Sequence, residues 1–324
     1  MTSSEKISQA ATAQIEHRGS RLDQVAAQLF PDFSRSQLQE WIKSGELQVN
    51  QKAAKAKDKL FGGELLSLET ELKPKGEWQA EEIDLDIVYE DDHLLVINKP
   101  AGLVVHPAAG NHQGTLLNAL LNHNKNLELL PRAGIVHRLD KDTTGLMVVA
   151  KTLAAHNDLI AQLQERSVSR EYEAIAIGTM TGGGCVDEPI GRHPKQRTMM
   201  AVVRDGKEAI THYRLVERFV GHTHLRLKLE TGRTHQIRVH MAHIRHPLVG
   251  DHTYAGRFKI PKGSTDELIE VLKSFPRQAL HAAQLGLIHP DTAEYMQWQA
   301  PLPEDFDLLL QALRKHTKEY NQDL

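Results

Sequence analysis

The stretch Gly134 to Lys151, GIVHRLDKDTTGLMVVAK, constrains this chain more than any other. An apolar run reaching Val136 is followed by five ionisable residues within six positions: His137, Arg138, Asp140, Lys141 and Asp142. Thr143-Thr144-Gly145 and a second apolar run, Leu146 to Ala150, come next. Short apolar runs bounded by turn residues read as buried strands, so a strongly charged loop is held between two of them. Asp, Lys, Thr and Gly also build ordinary surface turns. A loop fixed by a buried scaffold is nevertheless where chemistry is commonly displayed.

A chain of 324 residues accommodates a small domain and a large one. With 40% apolar and 25% charged residues it has a globular balance, which excludes wholesale disorder. No apolar run approaches a membrane span, and the first residues lack a leader pattern, so a cytoplasmic protein without a membrane partner is expected. Cys185 is the single cysteine, which excludes an intrachain disulfide and a cysteine-based zinc site. Of the 19 histidines, His235, His240, His243 and His246 lie close together, yet no HExxH or Cys-His ligand set is present, and no metal or cofactor is expected. Gly182 to Gly184 lacks the Lys-Ser/Thr of a phosphate loop and reads as a turn.

The formal net charge is -3, but Gly191 to Lys259 holds 14 Lys and Arg against 5 Asp and Glu. An excess confined to one window makes a local positive field that attracts phosphates even on an acidic protein. Arg192, Lys195 and Arg197 in this window are candidate contacts to nucleic-acid phosphates.

Along the chain, residues 1–16 are polar and aperiodic and are expected to be mobile. Leu22, Val25, Ala26 and Leu29 recur at helical spacing, as do Leu38, Trp41 and Ile42; Pro31 and Gly45 end the two runs. Strands at Leu47 to Val49 and Leu65 to Leu68 complete a compact unit over 17–70. The charged segment 71–82, with Pro74 and Gly76, reads as a linker, and 83–324 as the large domain. There, strands are expected at Ile87 to Tyr89, Leu94 to Ile97, Glu171 to Ile177, Thr211 to Val216, His224 to Glu230 and Ala279 to Ile288. Helices are expected at Thr115 to Asn122, after Thr152, after Thr234 as cap, and at Asp266 to Lys273; the tail from Lys315 is expected to fray. The fold class is therefore α+β, a small helical-hairpin domain followed by a mainly antiparallel mixed sheet flanked by helices.

Four separated strings, NKPAGLVVHP, HRLDKDTTG, REYEAIAIG and TGRTHQIR, resemble in content and order the motifs of the RluA family of pseudouridine synthases. Residues 21–68 resemble the S4 RNA-binding domain. The resemblance implies the pseudouridine synthase fold, with Asp140 as catalytic nucleophile, Arg233 as its cationic partner and Tyr172 stacking on the uracil. It further implies Arg138 as the residue that fills the space of the extruded base, and Leu285 as an apolar contact to the uracil. Arg18, Arg21, Arg35 and Lys43 become RNA-binding candidates of the S4-like unit, though scattered Arg and Lys also occur on any solvated helix face.

The strings GLVVHPAAGNHQGTLLNALL, PRAGIVHRLDKDTTGLMVVAK and RHPKQRTMMAV are most similar to members that act on 23S rRNA. This implies uridines of the helix 69 stem-loop, in 23S rRNA or a large-subunit precursor, as target, and a monomeric isomerase. Another rRNA site or a tRNA stays open. Asp140-Lys-Asp142-Thr-Thr144 also fits D-x-D-x-T of magnesium-dependent aspartyl phosphatases, but that loop belongs after the first strand of a parallel sheet.

Overall fold

The computed structural model describes residues 5–31, 33, 35–72, 78–107, 113–196, 198–258, 260–261 and 263–322. In the small domain β1 (Glu5–Thr12), β2 (Leu47–Val49) and β3 (Leu65–Leu72) form an antiparallel sheet in the order β1-β3-β2. Two helices, α1 (Leu22–Leu29) and α2 (Arg35–Ser44), pack on it through Leu22, Val25, Ala26, Leu38, Trp41 and Ile42. These are the periodic apolar positions of the sequence. Gly45 follows α2 with φ +86°, a left-handed conformation that ends a helix at little steric cost in glycine.

Residues 5–12, within the segment expected to be mobile, instead pair in register with β3, from Glu5 opposite Leu72 to Thr12 opposite Leu65. Ladder hydrogen bonds to β3 order this polar segment, and no apolar period is required for them. The expected linker is shorter too. β3 runs to Leu72, and beyond 73–77, which lie outside the described residues, Gln79 and Glu81 already bind the large domain. Asn118 Nδ2 donates to Gln79 O at 2.7 Å, and Gly114 N–H donates to the Glu81 carboxylate at 3.0 Å. Leu129 and Leu153 of the large domain pack against the small domain's core.

The large domain begins with the hairpin β4 (Ile87–Glu90) and β5 (Leu94–Lys99), then α3 (Leu116–His123), β6 (Thr144–Ala150) and α4 (Leu153–Gln164). β7 (Ser169–Ile177), β8 (Gly184–Asp187), β9 (Ile190–Arg192), β10 (Met200–Val202), β11 (Ile210–Phe219) and β12 (His222–Leu229) follow. The chain closes with α5 (Gln236–His243), α6 (Asp266–Ser274), β13 (Leu280–Ile288), β14 (Tyr295–Gln299) and α7 (Glu304–Gln322). The main sheet runs β4-β5-β6-β13-β7-β12-β11-β8, with β14 paired to β13. Its pairings are antiparallel except β6 with β13. A D-x-D-x-T loop of a parallel α/β sheet has no counterpart in this topology.

β6 is buried along its whole length, which is why it reads as an unbroken apolar run. Met147 and Val149 pack with α3 and α5 residues, while Leu146 and Val148 pack with Ala155 and Leu159 of α4. On β7, Ala174 and Ala176 join the first of these cores and Ile175 joins the core of α6 and α7. The expected fraying after Lys315 is not observed, because α7 continues to Gln322. Phe306, Leu309, Leu310 and Leu313 give it a buried stripe, and each fully buried side chain of this kind contributes about 1.5–3 kcal/mol. Among the described residues no helix is long and apolar enough to cross a membrane.

Candidate active site

The charged loop ends in a tight turn before β6, where Thr143 N–H donates to Asp140 O at 3.1 Å. Two side chains fasten it, the buried Lys99 and the partly buried His137. Lys99, at the end of β5, donates through Nζ to Lys141 O at 2.8 Å and to Pro100 O and Leu103 O, so NKPAG and HRLDK are tied by one ammonium. Burial pulls Lys99 down to about 8, with the carboxylates of Asp142 and Asp140 working the other way. His137 accepts from Val148 N–H through Nε2 at 3.1 Å, and burial lowers it to about 3, with Arg170 adding to the fall. It acts as a neutral acceptor that orders the loop.

Asp140 meets a different arginine from the one the motif suggests. Arg238, in the first turn of α5, donates from Nη1 to Asp140 Oδ2 at 2.9 Å. The rest of its guanidinium grips Asp251 in a fork, Nε to Oδ2 at 2.7 Å and Nη2 to Oδ1 at 2.9 Å. Arg233 instead donates from Nε to Glu208 O at 2.8 Å. The reason is where α5 begins. His235, not Thr234, occupies the N-cap, with φ +55°, and the Gln236 side chain fixes the preceding turn by accepting from Arg233 N–H at 2.9 Å. Arg233 is thereby turned outward, and Arg238 is carried inward between Ile237 and Val239.

Asp251 has a side chain with no exposure and also accepts from the N–H groups of Thr253 and Tyr254. Gly250, before it, has φ +71°, and a Cβ there would lie 2.0 Å from Arg277 O, so the turn that delivers Asp251 requires glycine. Burial opposes the charge on Arg238, but Asp251 and Asp140 outweigh it and hold the guanidinium above its ordinary value. His235 Nε2 lies 3.8 Å from Asp140 Oδ1, and its Nδ1 is 2.8 Å from the Tyr254 hydroxyl, whose ring lies under the Arg238 guanidinium. Burial lowers His235, against the pull of Asp140. Asp251, Arg238 and Asp140 thus form a graded line from a fully buried carboxylate to one whose side chain is 15% exposed.

Residues 93–243 match the profile described as RNA pseudouridylate synthase, and residues 20–66 match the S4 domain. Over 317 residues the chain is 60% identical to ribosomal large subunit pseudouridine synthase D of Pseudomonas aeruginosa, covering 98% of this chain and 99% of that one. The chain belongs to the RluA family of RNA pseudouridine synthases. Proteins of the same name from Vibrio parahaemolyticus and Yersinia pestis are 57% and 56% identical, over 93% and 99% of this chain and 93% and 99% of theirs. Among solved structures, human RNA pseudouridylate synthase domain containing 4 is 28% identical with a TM-score of 0.55, over 70% of this chain and 92% of its own.

In this synthase Tyr172 is buried at 6% exposure on β7. Burial pushes its hydroxyl up from the phenol range, Arg170 opposes, and Asp140 is near enough to add to the rise. Tyr172 packs in one cluster with Leu139 and Leu280. Leu285, the leucine expected against the uracil, lies in another cluster with Leu146, Val148, Leu159 and Leu287, whereas Leu280, earlier on β13, shares Tyr172's surroundings. Arg138 is exposed two residues before Asp140.

Of the expected RNA contacts, Arg18, Lys43, Arg192 and Lys195 are exposed, and Arg197 lies outside the described residues. Arg21 and Arg35 both converge on Asp23, 3.0 and 2.7 Å away, while their own side chains stay half-exposed. Burial disfavours charge on Asp23, yet hydrogen bonds from Arg21, Arg35 and Gln39 hold it well below the carboxylate range. Three of the four clustered histidines of the sequence serve separate partners: His235 faces Asp140, His240 lies between Thr211 and Glu188 O, and His246 bonds Ile177 O.

Three histidines are kept neutral by burial: His137 at about 3, His222 and His281 at about 4. The unfolded chain binds their protons near 6.5, so it holds more protons than the native state between 6.5 and those values. Stability is therefore full above pH 6.5 and falls as pH drops, by about 1.4 kcal/mol per unit for each histidine. Urea unfolding at pH 7 and pH 5 checks this; an unchanged midpoint would contradict it.

Proposed function

We propose that this chain isomerises uridines of large-subunit ribosomal RNA to pseudouridine, in the helix 69 stem-loop of 23S rRNA, with Asp140 as nucleophile. The observation that carries the reading is the Asp140 carboxylate held by Arg238, itself anchored on Asp251, beside Tyr172. Pseudouridine formation breaks the bond from C1' to N1, turns the uracil while it is held, and joins C5 to C1'. A carboxylate fixed by a buried arginine, with its own side chain 15% exposed, suits the first step, since its attack on C1' releases the base. Tyr172 offers an apolar ring on which the uracil can stack and a neutral hydroxyl for moving the C5 proton.

The names of the relatives support ribosomal large-subunit RNA as substrate, and the strings shared with members that act there support helix 69. Arg138, exposed beside Asp140, is suited to filling the gap left by an extruded base. Carbodiimide treatment and primer extension on 23S rRNA, with and without the protein and with EDTA present, test the reading. New stops in helix 69 that EDTA does not remove are expected. Stops elsewhere in the RNA would overturn the target, and none in rRNA would transfer the search to tRNA.

A further inference from the structure

Three arginines of the described residues are buried to below one tenth exposure: Arg170, Arg238 and Arg277. Arg238 forks onto Asp251, and Arg277 onto Asp305 at 2.7 and 2.8 Å. Arg170 differs. Among the described residues it has no carboxylate partner and one hydrogen bond, from Nη2 to Glu230 O at 3.3 Å, and its Nε is buried without an acceptor. A guanidinium presents five N–H donors, and leaving it buried and unmatched is costly, so among the described residues the fold holds a positive charge without a counter-charge of its own.

Its position says what would match it. Arg170 and Tyr172 are two residues apart on β7, and strand alternation puts both side chains on one face. Nη1 lies against Gly232, where a Cβ would stand 2.8 Å from it, so the TGR turn leaves room for this guanidinium by lacking a side chain. The charge is felt by Tyr172 and by His137, whose proton affinities it lowers. Arg170 therefore sits between β7, the turn before α5 and the Asp140 loop.

We propose that Arg170 is a catalytic residue that donates its free N–H groups to a carbonyl oxygen of the uracil and balances the charge of the detached base. This rests on the reading of the chain as a uridine isomerase. As the Asp140 oxygen bonds C1', the C1'–N1 pair leaves with the ring and spreads over N1, O2 and O4. C5 then attacks C1' as the Asp140–C1' bond breaks, which restores the carboxylate, and the C5 proton ends on N1. Arg170 gains and loses nothing. It holds the anionic ring in place while it turns, as fixed donors do for other developing oxyanions.

Single-turnover isomerisation of a helix 69 RNA by wild type, Arg170→Met and Arg170→Lys tests this, with RNA affinity and thermal melting measured on each. Wild type must first form pseudouridine; if it does not, the functional reading fails and not the role of Arg170. Loss of one such donor costs about 100- to 1,000-fold in rate, so Arg170→Met should fall by that factor with Kd within about twofold. Lysine should restore at least about tenfold by returning the charge without the fork. Arg170→Gln, which keeps a donor towards Glu230 O, serves the same comparison should the methionine variant not fold. A rate within about threefold of wild type overturns the proposal. So does a loss confined to Kd with a shallower salt dependence, which would make Arg170 a phosphate contact.

Discussion

Asp140→Asn is expected to abolish isomerisation, with a loss of at least about 10,000-fold in single-turnover rate, the scale of removing a nucleophile. The substitution is nearly isosteric, and its amide oxygen can still accept from Arg238 Nη1, which sits 2.9 Å from Asp140 Oδ2. Arg238 also keeps its fork on Asp251. The fold should therefore survive, and the thermal midpoint should move little. RNA affinity should survive too, because it rests on phosphate contacts made by exposed Arg and Lys elsewhere on the chain. Rate, Kd and melting measured together separate these effects. A variant that still converts uridine at a rate within about tenfold of wild type would remove Asp140 from the chemistry.

The expected elements that held are those whose apolar spacing carried the information. α1, α2, α3, α4 and the strands from β4 to β7 fall within a few residues of where their runs placed them, and Thr152 caps α4 as expected by accepting from Ala155 N–H. β1 was not legible, because an edge strand of polar residues is ordered by ladder hydrogen bonds to β3 and leaves no hydrophobic period. α7 was legible and passed over: Phe306, Leu309, Leu310 and Leu313 recur at helical spacing, and the polar residues after Lys315 only lengthen it.

At the site, the sequence led to Asp140 and Tyr172 because their strings are dense in unusual residues. The resemblance gave Arg233 as the partner of Asp140, and the expected helix cap agreed with it. Thr234 is the better N-cap by residue type, and a helix begun there makes Arg233 the residue at the turn. In the fold His235 is the N-cap in a left-handed backbone conformation, Gln236 accepts from Arg233 N–H ahead of the helix, and the helix starts one residue later than a Thr234 cap would give. A second signal was present. Arg238 stands between Ile237 and Val239 in a helix buried nearly all round, and a charge in such a place requires an ionic partner. Asp251, in a glycine turn, is that partner and carries no motif of its own.

Arg238 and Arg233 can therefore be told apart by experiment, and the expected order reverses the one the motif suggests. Arg238→Met would strip the fully buried Asp251 of its counter-charge, and removing one member of a buried pair costs about 3–5 kcal/mol, so that variant would confuse folding with catalysis. Arg238→Lys is the better probe. An ammonium retains the charge but is a point donor and cannot fork onto Asp251 while also reaching Asp140. With Asp251 the deeper and stronger attractor, the lysine should settle there and leave Asp140 without its donor. The expected result is a fall of about 100-fold or more in single-turnover rate, the scale of misplacing a catalytic group, with RNA affinity unchanged. Arg233→Ala loses a bond to the Glu208 carbonyl and an outward-facing cation. It should keep its rate within about tenfold and show its effect, if any, in Kd at higher salt. A larger rate loss in Arg233→Ala than in Arg238→Lys would return Arg233 to the role the motif gives it and leave the Asp251–Arg238 pair a structural strut.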